Sequence, residues 1–469
     1  MKCMRMPIMA GIFILGLALI RLPAQPFTVL HTFSAPTGST NADGADSHAD
    51  LVADGNMLYG TTPLGGTNGY GTVFAINADG SGFTTMYAFT GAADGTQPNQ
   101  SLLLSGDLLY GIAARGTNLL GYGSVFVMST NGSNFSLVYT FATNLTGAFG
   151  APNGGLILDG DTLYGTAYQG GITNGGAIFS LTTNGTYTPL RLFTAATDGK
   201  NPLGTLVLTN GILYGTCRNG GSNDVGTVFS ITTNGENFTV MHEFSTSGMD
   251  GRNPNVGLTL VGNTLYGTTI LGGTNNGGTI YAITLDGSDY TELHAFSQTD
   301  GNGKLPESGL FARGNTLYGT TLGNGSSLTG TVYAMNTDGS SFTLLHPFPS
   351  VNNSTNTDGS QPFGGVVMVS NVLYGTTSVG GANGVGTLYD LAVVPSITHV
   401  TRAGTNLVLN ALNGIQGQTC YVVSSPDLKV PVNQWTDVAT NQLSSGGNFS
   451  ITATNVAGAG AQFFRLEMQ

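Results

Sequence analysis

The tripeptide Leu-Tyr-Gly returns seven times along the chain, with its tyrosine at Tyr59, Tyr110, Tyr164, Tyr214, Tyr266, Tyr318 and Tyr374. Successive copies stand 51, 54, 50, 52, 52 and 56 residues apart. A period of that length marks one supersecondary unit that cannot bury its apolar face alone and must stack on copies of itself, which restricts the fold to solenoids, propellers or related arrays.

The pattern inside the unit narrows the choice. The fifth copy reads as Leu258 to Val261, a Gly262-Asn263 turn, Thr264 to Thr269, a loop from Leu271 to Gly277, Gly278 to Thr284, an Asp286-Gly287 turn, and Tyr290 to Phe296. Its apolar runs are short, β-branched or aromatic, and separated by Asx-Gly pairs whose positive φ suits two-residue hairpins, so the unit is four antiparallel strands. Four strands per repeat make a propeller blade. Composition agrees, because only 8% of residues are Asp, Glu, Lys or Arg, against roughly 25% in an ordinary soluble domain, while 73 are glycine. Coiled coils and helical solenoids need many more charged helix formers.

The two ends differ in a complementary way. A strand like the fourth of each unit, Phe27 to Phe33, precedes the first Leu-Tyr-Gly, and after Gly386 to Leu391 the last copy has none. The expected fold is all-β: a seven-bladed β-propeller over residues 25–394, closed by its N-terminal strand, which removes the sheet edges an open array would expose. Residues 395–469 break the repeat. Asn406 to Leu412, Thr419 to Ser424, Trp435 to Thr440, Asn448 to Thr454 and Gln462 to Met468 alternate as strands, which predicts a small C-terminal β-sandwich with Trp435 in its core.

Residues 1–24 read as a signal peptide: Lys2 and Arg5, an apolar run from Ile8 to Ile20, then Leu22-Pro23-Ala24. No later segment is long and apolar enough to span a membrane. Without Lys2, Arg5 and Arg21, 10 basic residues oppose 25 acidic ones, and the net charge is −15. Such a surface repels phosphate backbones, which excludes nucleic acid and leaves glycans or extracellular proteins as partners. Cys217 and Cys420 lie too far apart to form a disulfide framework. Cys217 fills a slot held elsewhere by Thr62, Ala113, Ala167, Thr269, Thr321 and Thr377, which points to a small buried residue.

The elements Leu-Tyr-Gly-Thr-Thr, Gly-Gly, Gly-Thr-Val-Phe and Asp-Gly-x-x-Pro, over about residues 27 to 391, resemble the GloVer tandem repeat of secreted bacterial proteins. The resemblance implies export, to the medium or the cell envelope, and carries no activity. The plan is also similar to kelch blades, whose Gly-Gly pair follows an inner strand. In the tail, Ser425-Pro-Asp-Leu428 and Trp435-Thr436 are similar to C-terminal modules of secreted bacterial proteins.

In such a blade the loop between strands two and three and the crossover to the next blade share one face. Here these are the long loops, as in Pro63 to Gly69 and Ser34 to Ala49, so a site is expected on that face. Asp43, Asp94, Asp198, Asp250, Asp300 and Asp358 lie in or near the crossovers and would form a ring able to bind Ca²⁺ or sugar hydroxyls; the alternative is that Asp-Gly simply makes turns. Ser39-x-Asn41-x-Asp43-Gly44 and Ser354-x-Asn356-x-Asp358-Gly359 faintly resemble calcium loops but lack their first acidic ligand, and Gly365 stands where the second needs its last. Lys200, Arg252 and Lys304 in the crossovers, with Arg115 and Arg218 in the other long loops, would orient an anionic sugar or pair locally. Tyr70, Tyr122 and Tyr168 offer stacking surfaces. His31, His242, His294 and His346 share one repeat position with Tyr87, Tyr139 and Arg191, which argues for outer-strand residues reaching the rim rather than a metal site. His48 and His399 carry no signal of their own.

None of the short catalytic signatures is present, neither a Gly-x-Ser-x-Gly elbow nor a P-loop, His-Glu-x-x-His or Cys-x-x-Cys. The expectation is therefore a monomeric, secreted, non-catalytic scaffold that binds a glycan or protein on its long-loop face. No cofactor is implied, calcium being the one ion the aspartates would suit. The alternatives are a polysaccharide hydrolase or lyase using loop aspartates such as Asp198 and Asp250, which needs no contiguous motif, and a purely structural envelope component.

Overall fold

The computed structural model describes residues 26–393 except 117–122, 142–148, 171–173, 194–197, 247–249, 300 and 326; in the tail it describes 396–403, 406–414, 419–425, 429, 434, 436–442, 447–454 and 463–468. The first blade is an antiparallel sheet of Val52–Asp54, Met57–Thr62, Thr72–Asn77 and Thr84–Ala88, in that order. The arrangement repeats over 103–140, 157–192, 207–243, 259–297 and 311–347, and the protein is an all-β, seven-bladed propeller. The glycine of Leu-Tyr-Gly is required by the third strand. In the first blade Gly60 lies opposite Phe74, and a Cβ there would come 2.4 Å from the ring.

The seventh sheet is built from both ends of the repeat region. Val367–Val369, Val372–Thr377 and Thr387–Ala392 are joined by Phe27–Thr32, which pairs antiparallel with the last of them from Phe27↔Leu391 to Thr32↔Thr387. Apolar packing runs from sheet to sheet. Tyr59, Val73 and Phe89 of the first blade share a cluster with Leu102, Leu109 and Phe126 of the second, and Leu51, Leu58, Phe74 and Ile76 share another with Phe33, Tyr374 and Leu388 of the seventh.

Inner ends of neighbouring blades are stapled by a hydroxyl. The first threonine after Leu-Tyr-Gly donates to a carbonyl of the next blade: Thr61 to Gln100, Thr166 to Gly204, Thr216 to Val256, Thr268 to Ser308 and Thr320 to Gly364, at 3.0–3.3 Å. Between blades seven and one the staple changes. The buried hydroxyl of Thr376 finds no partner, and the Asp50 carboxylate instead accepts a hydrogen bond from Gly365 N.

Two features depart from the sequence reading. The crossovers run briefly as strands beside the end of the second strand: Phe149–Pro152 and Lys200–Pro202 pair with Thr162–Gly170 and Ile212–Asn219, and Gly251–Arg252 pairs with Leu271–Gly272. Single bridges do the same at Ala45↔Leu64, Thr96↔Arg115, Lys304↔Gly323 and Ser360↔Val379. In the fifth blade, the third strand, Asn276–Thr284, accordingly begins inside the predicted loop. The tail also contains a strand the pattern missed, Ser396–Ala403, which with Asn406–Gly414 and Gly447–Ala453 forms one three-stranded sheet; Thr436–Gln442, Thr419–Ser425 and Phe463–Met468 form the other. Leu409, Ile451 and Ala453 from one sheet and Cys420 and Val422 from the other bury a common cluster. Trp435 lies outside the described residues. Among the described residues no helix is long and apolar enough to cross a membrane.

Candidate functional site

The crossover aspartates are joined to the repeated His, Tyr or Arg position of the fourth strand. Asp43 sits 2.9 Å from His31 and accepts from Ser34 N at 3.1 Å. Asp94 accepts from Tyr87 and Thr90, Asp198 pairs with Arg191, Asp250 lies 3.3 Å from His242 while accepting from Ser245 N and Tyr290, and Asp358 lies 3.3 Å from His346. Asp300 lies outside the described residues. Each fourth-strand group also stacks on an aromatic ring of the following blade. His31 meets Phe83 at 3.7 Å, Tyr87 meets Phe135 at 3.7 Å, Tyr139 meets Tyr187 at 5.0 Å, His242 meets Tyr290 at 3.8 Å and His294 meets Phe342 at 4.1 Å. Arg191 places its guanidinium 3.7 Å from the Phe238 ring, and His346 stacks at 4.0 Å on Phe27. The histidines are thus half-buried between blades rather than at a free rim, and Asp43 and Asp250 hold His31 and His242 there. Burial is the largest single influence on the Asp43 carboxyl and would raise it, but the His31 and Ser34 contacts together outweigh burial and keep it below its ordinary value. Burial, with the Asp94 charge beside it, pushes the Tyr87 hydroxyl up to about 12.

The two loops compared with calcium sites are organised by amides. Asn41 Nδ2 donates to the carbonyls of Ser34 and Gly44 at 2.7 Å, and its Oδ1 accepts from Gly44 N and Gly66 N. Asn356 repeats this with Pro349, Gly359 and Gly381. Carbonyls that a cation would need are already engaged. Among the described residues no three His, Cys, Asp or Glu side chains gather as a metal site.

A different set of residues lies where the blades meet at the axis. The residue that follows the crossover proline is Asn99, Asn153, Leu203, Asn255, Glu307 or Phe363, with His48 after Ser47 in the first blade. The chain just beyond it converges tightly. A Cβ on Gly204 would lie 2.3 Å from the Val256 backbone, and one on Gly364 would lie 2.5 Å from the Ala49 carbonyl. One side of this ring satisfies itself, since Gln100 Nε2 donates to Asn99 Oδ1 and to Asn153 Oδ1. The other side, blades five, six, seven and one in succession, carries Asn255, Glu307, Phe363 and His48. The His48 ring stacks on Phe363 at 4.3 Å, and its Nε2 lies 2.9 Å from Asp46 Oδ1. Arg218, expected in the long loop of blade four, lies instead in the extended end of the second strand, Ile212–Asn219, and closes the arc, its carbonyl accepting from Asn253 Nδ2 two residues before Asn255.

The same repeat defines a known sequence family. The model of the Gloeobacter/Verrucomicrobia repeat matches residues 18–225, 121–269 and 209–421, most of the chain. The chain belongs to that family. Solved structures match this Gloeobacter/Verrucomicrobia repeat protein only in fold. An oligogalacturonate lyase from Vibrio parahaemolyticus aligns at 12% identity over 79% of this chain and 94% of its own, with a TM-score of 0.50. The GH74 enzyme of Niastella koreensis aligns at 16% identity over 81% of this chain and 59% of its own, at 0.47. No curated protein matches the sequence.

In this repeat protein the arc is electrostatically distinct from the staples. Burial raises the Glu307 carboxyl above its ordinary value, against the opposing pull of Arg218 and His48. Asp50, two residues beyond His48 and enclosed by blade ends, is likewise raised by burial, although Gly365 N and Ser101 favour its ionised form. Neither the Glu307 nor the Arg218 side chain makes a hydrogen bond or close ion pair among the described residues, and the buried Oδ1 of Asn255 accepts none.

Of the cations read from sequence, Lys200 pairs with Asp224 at 2.9 Å, Arg252 bonds Asn276, Arg115 is exposed, and Lys304 is buried with its alkyl chain across Gly323. Only Arg218 joins the arc. Tyr70 is 40% exposed on the long-loop face, Tyr168 is half-buried, and Tyr122 lies outside the described residues. Sequence reasoning missed Glu307, Phe363, Asn255 and Asp50, and left His48 without a role. The available signal was variation: next to a proline that barely changes, one position takes His, Asn, Leu, Glu and Phe in turn.

Proposed function

We propose that this is an exported, monomeric, non-catalytic scaffold that binds a glycan or an extracellular protein on its long-loop face, at the axial end of the blades. In this reading residues 1–24 are a signal peptide, residues 25–394 are the propeller with Phe27–Thr32 as its closing strand, and residues 395–469 are a β-sandwich appendage. The observation that carries it is the break in symmetry. The threonine after Leu-Tyr-Gly is the same in six of the seven copies, whereas the position that follows the crossover proline diverges to His48, Asn255, Glu307 and Phe363 around the axis. Divergent polar and aromatic groups on a rigid scaffold are what selective binding requires.

A second reading, a polysaccharide hydrolase or lyase, draws on one observation. Glu307 is a carboxyl raised by burial near a histidine already held by Asp46, which suits acid–base work better than the stapled aspartates do. The mature chain screened on a glycan array, with and without calcium, separates these. Binding without product supports the scaffold, and product formation supports the enzyme. Silence toward glycans and toward cell-envelope proteins would overturn the binding reading and leave a structural envelope role.

A further inference from the structure

We infer that the arc of Arg218, Asn255, Glu307, Phe363 and His48 is a subsite for one uncharged pyranose residue, held by its face against the Phe363–His48 pair and by its hydroxyls on Glu307. The inference rests on the glycan half of the function proposed above and assigns it a place and a ligand class.

Three features of the arc point to this chemistry. The first is a shortage of donors: the Glu307 carboxylate and Asn255 Oδ1 are acceptors without partners, whereas the crossover aspartates Asp94 and Asp198 are held by Tyr87 and Arg191. Pyranose hydroxyls supply donors in adjacent pairs, and a carboxylate accepts two at once. The second is the platform. His48 and Phe363 are stacked, and Asp46 fixes the imidazole, so an aromatic surface is preset beside the acceptors. A sugar's C–H face gains from burial against such a surface without needing charge. The third is the sign of the field. Asp46, Asp50 and Glu307 lie at this end of the axis and Arg218 is the cation whose charge acts on Glu307 most strongly, in a chain of net charge −12 as translated. A uronate would meet net repulsion, whereas Arg218 is free to donate to a hydroxyl or ring oxygen.

The test is isothermal titration of the full mature chain with neutral methyl pyranosides and their short oligomers, beside the corresponding uronates and amino sugars. Glu307→Gln and Phe363→Ala are expected each to weaken neutral-sugar binding at least about tenfold, the scale of losing a charge-assisted acceptor or an aromatic face. Asp338→Asn, an exposed turn residue away from the arc, should leave it unchanged. Thermal unfolding of each variant confirms that the fold is intact. Neutral-sugar binding that both arc variants leave untouched overturns the assignment while the glycan reading stands, and preference for uronates or amino sugars overturns the ligand class. Should no sugar bind at all, both fall.

Discussion

Single residues show where the repeat is strained. Tyr281, Tyr333 and Tyr389 occupy the third-strand slot that holds Phe74, Phe126, Phe179 and Phe229 in the other blades, and their buried hydroxyls have no partner. A buried, unsatisfied hydroxyl costs about 1–3 kcal/mol, so Tyr333→Phe should raise stability by about 1 kcal/mol in urea unfolding. Leu305 is a second case. Its φ is +56°, at a crossover position where Asp46, Gln97, Asn201, Asn253 and Gln361 are also left-handed. Asparagine tolerates that conformation and leucine does not, so Leu305→Asn should stabilise the fold by about 1 kcal/mol. At this scale the sequence was informative wherever a residue recurs. Cys217, expected to be small and buried, is fully buried, and burial pushes its thiol far up. The arc was opaque because His48, Glu307 and Phe363 each stand once at their repeat position, and only the meeting of blades seven and one sets His48 beside Phe363.

At the level of elements, strands and their register were readable from alternation and Asx-Gly turns. The contact between a crossover and the neighbouring second strand was not, since it is a pairing of irregular chain. Nor could the histidines and aspartates be joined from spacing alone, because each belongs to a separately plausible pattern. Their union predicts a pH dependence. Burial holds the His346 imidazole below its ordinary value, despite Asp358 nearby; Phe27 stacks on it and Phe348 packs against it in a T-shaped contact. As pH falls below about 6.5, the unfolded chain takes up a proton that folded His346 resists, so stability present above that value is lost. His346→Tyr, the residue that serves at Tyr87 and Tyr139, removes this titration. The melting temperature of the wild type should therefore fall more steeply than that of the variant between pH 7 and pH 5, and parallel profiles would refute the assignment.

For the whole molecule, seven copies of a four-stranded unit were enough to anticipate a seven-bladed propeller, whereas the tail's two sheets were only partly visible in its weaker alternation. The closing role proposed for Phe27–Thr32 has a quantitative consequence. Phe27 holds the stacking slot that Phe135 and Phe342 hold in blades joined by continuous chain. If the strand closes the ring, Phe27→Ala should cost as much as Phe135→Ala, about 3 kcal/mol, in chemical unfolding. A strand merely lying alongside would give a far smaller loss.

The central claim is that repetition builds the scaffold and that binding resides where repetition fails. Its most direct test resets His48, Glu307 and Phe363 together to the asparagine that Asn99, Asn153 and Asn255 already carry, and compares this variant with the wild type on one glycan array after matching thermal unfolding. The account predicts an unchanged melting temperature and lost glycan binding. Binding that survives in a fully folded triple variant would contradict it.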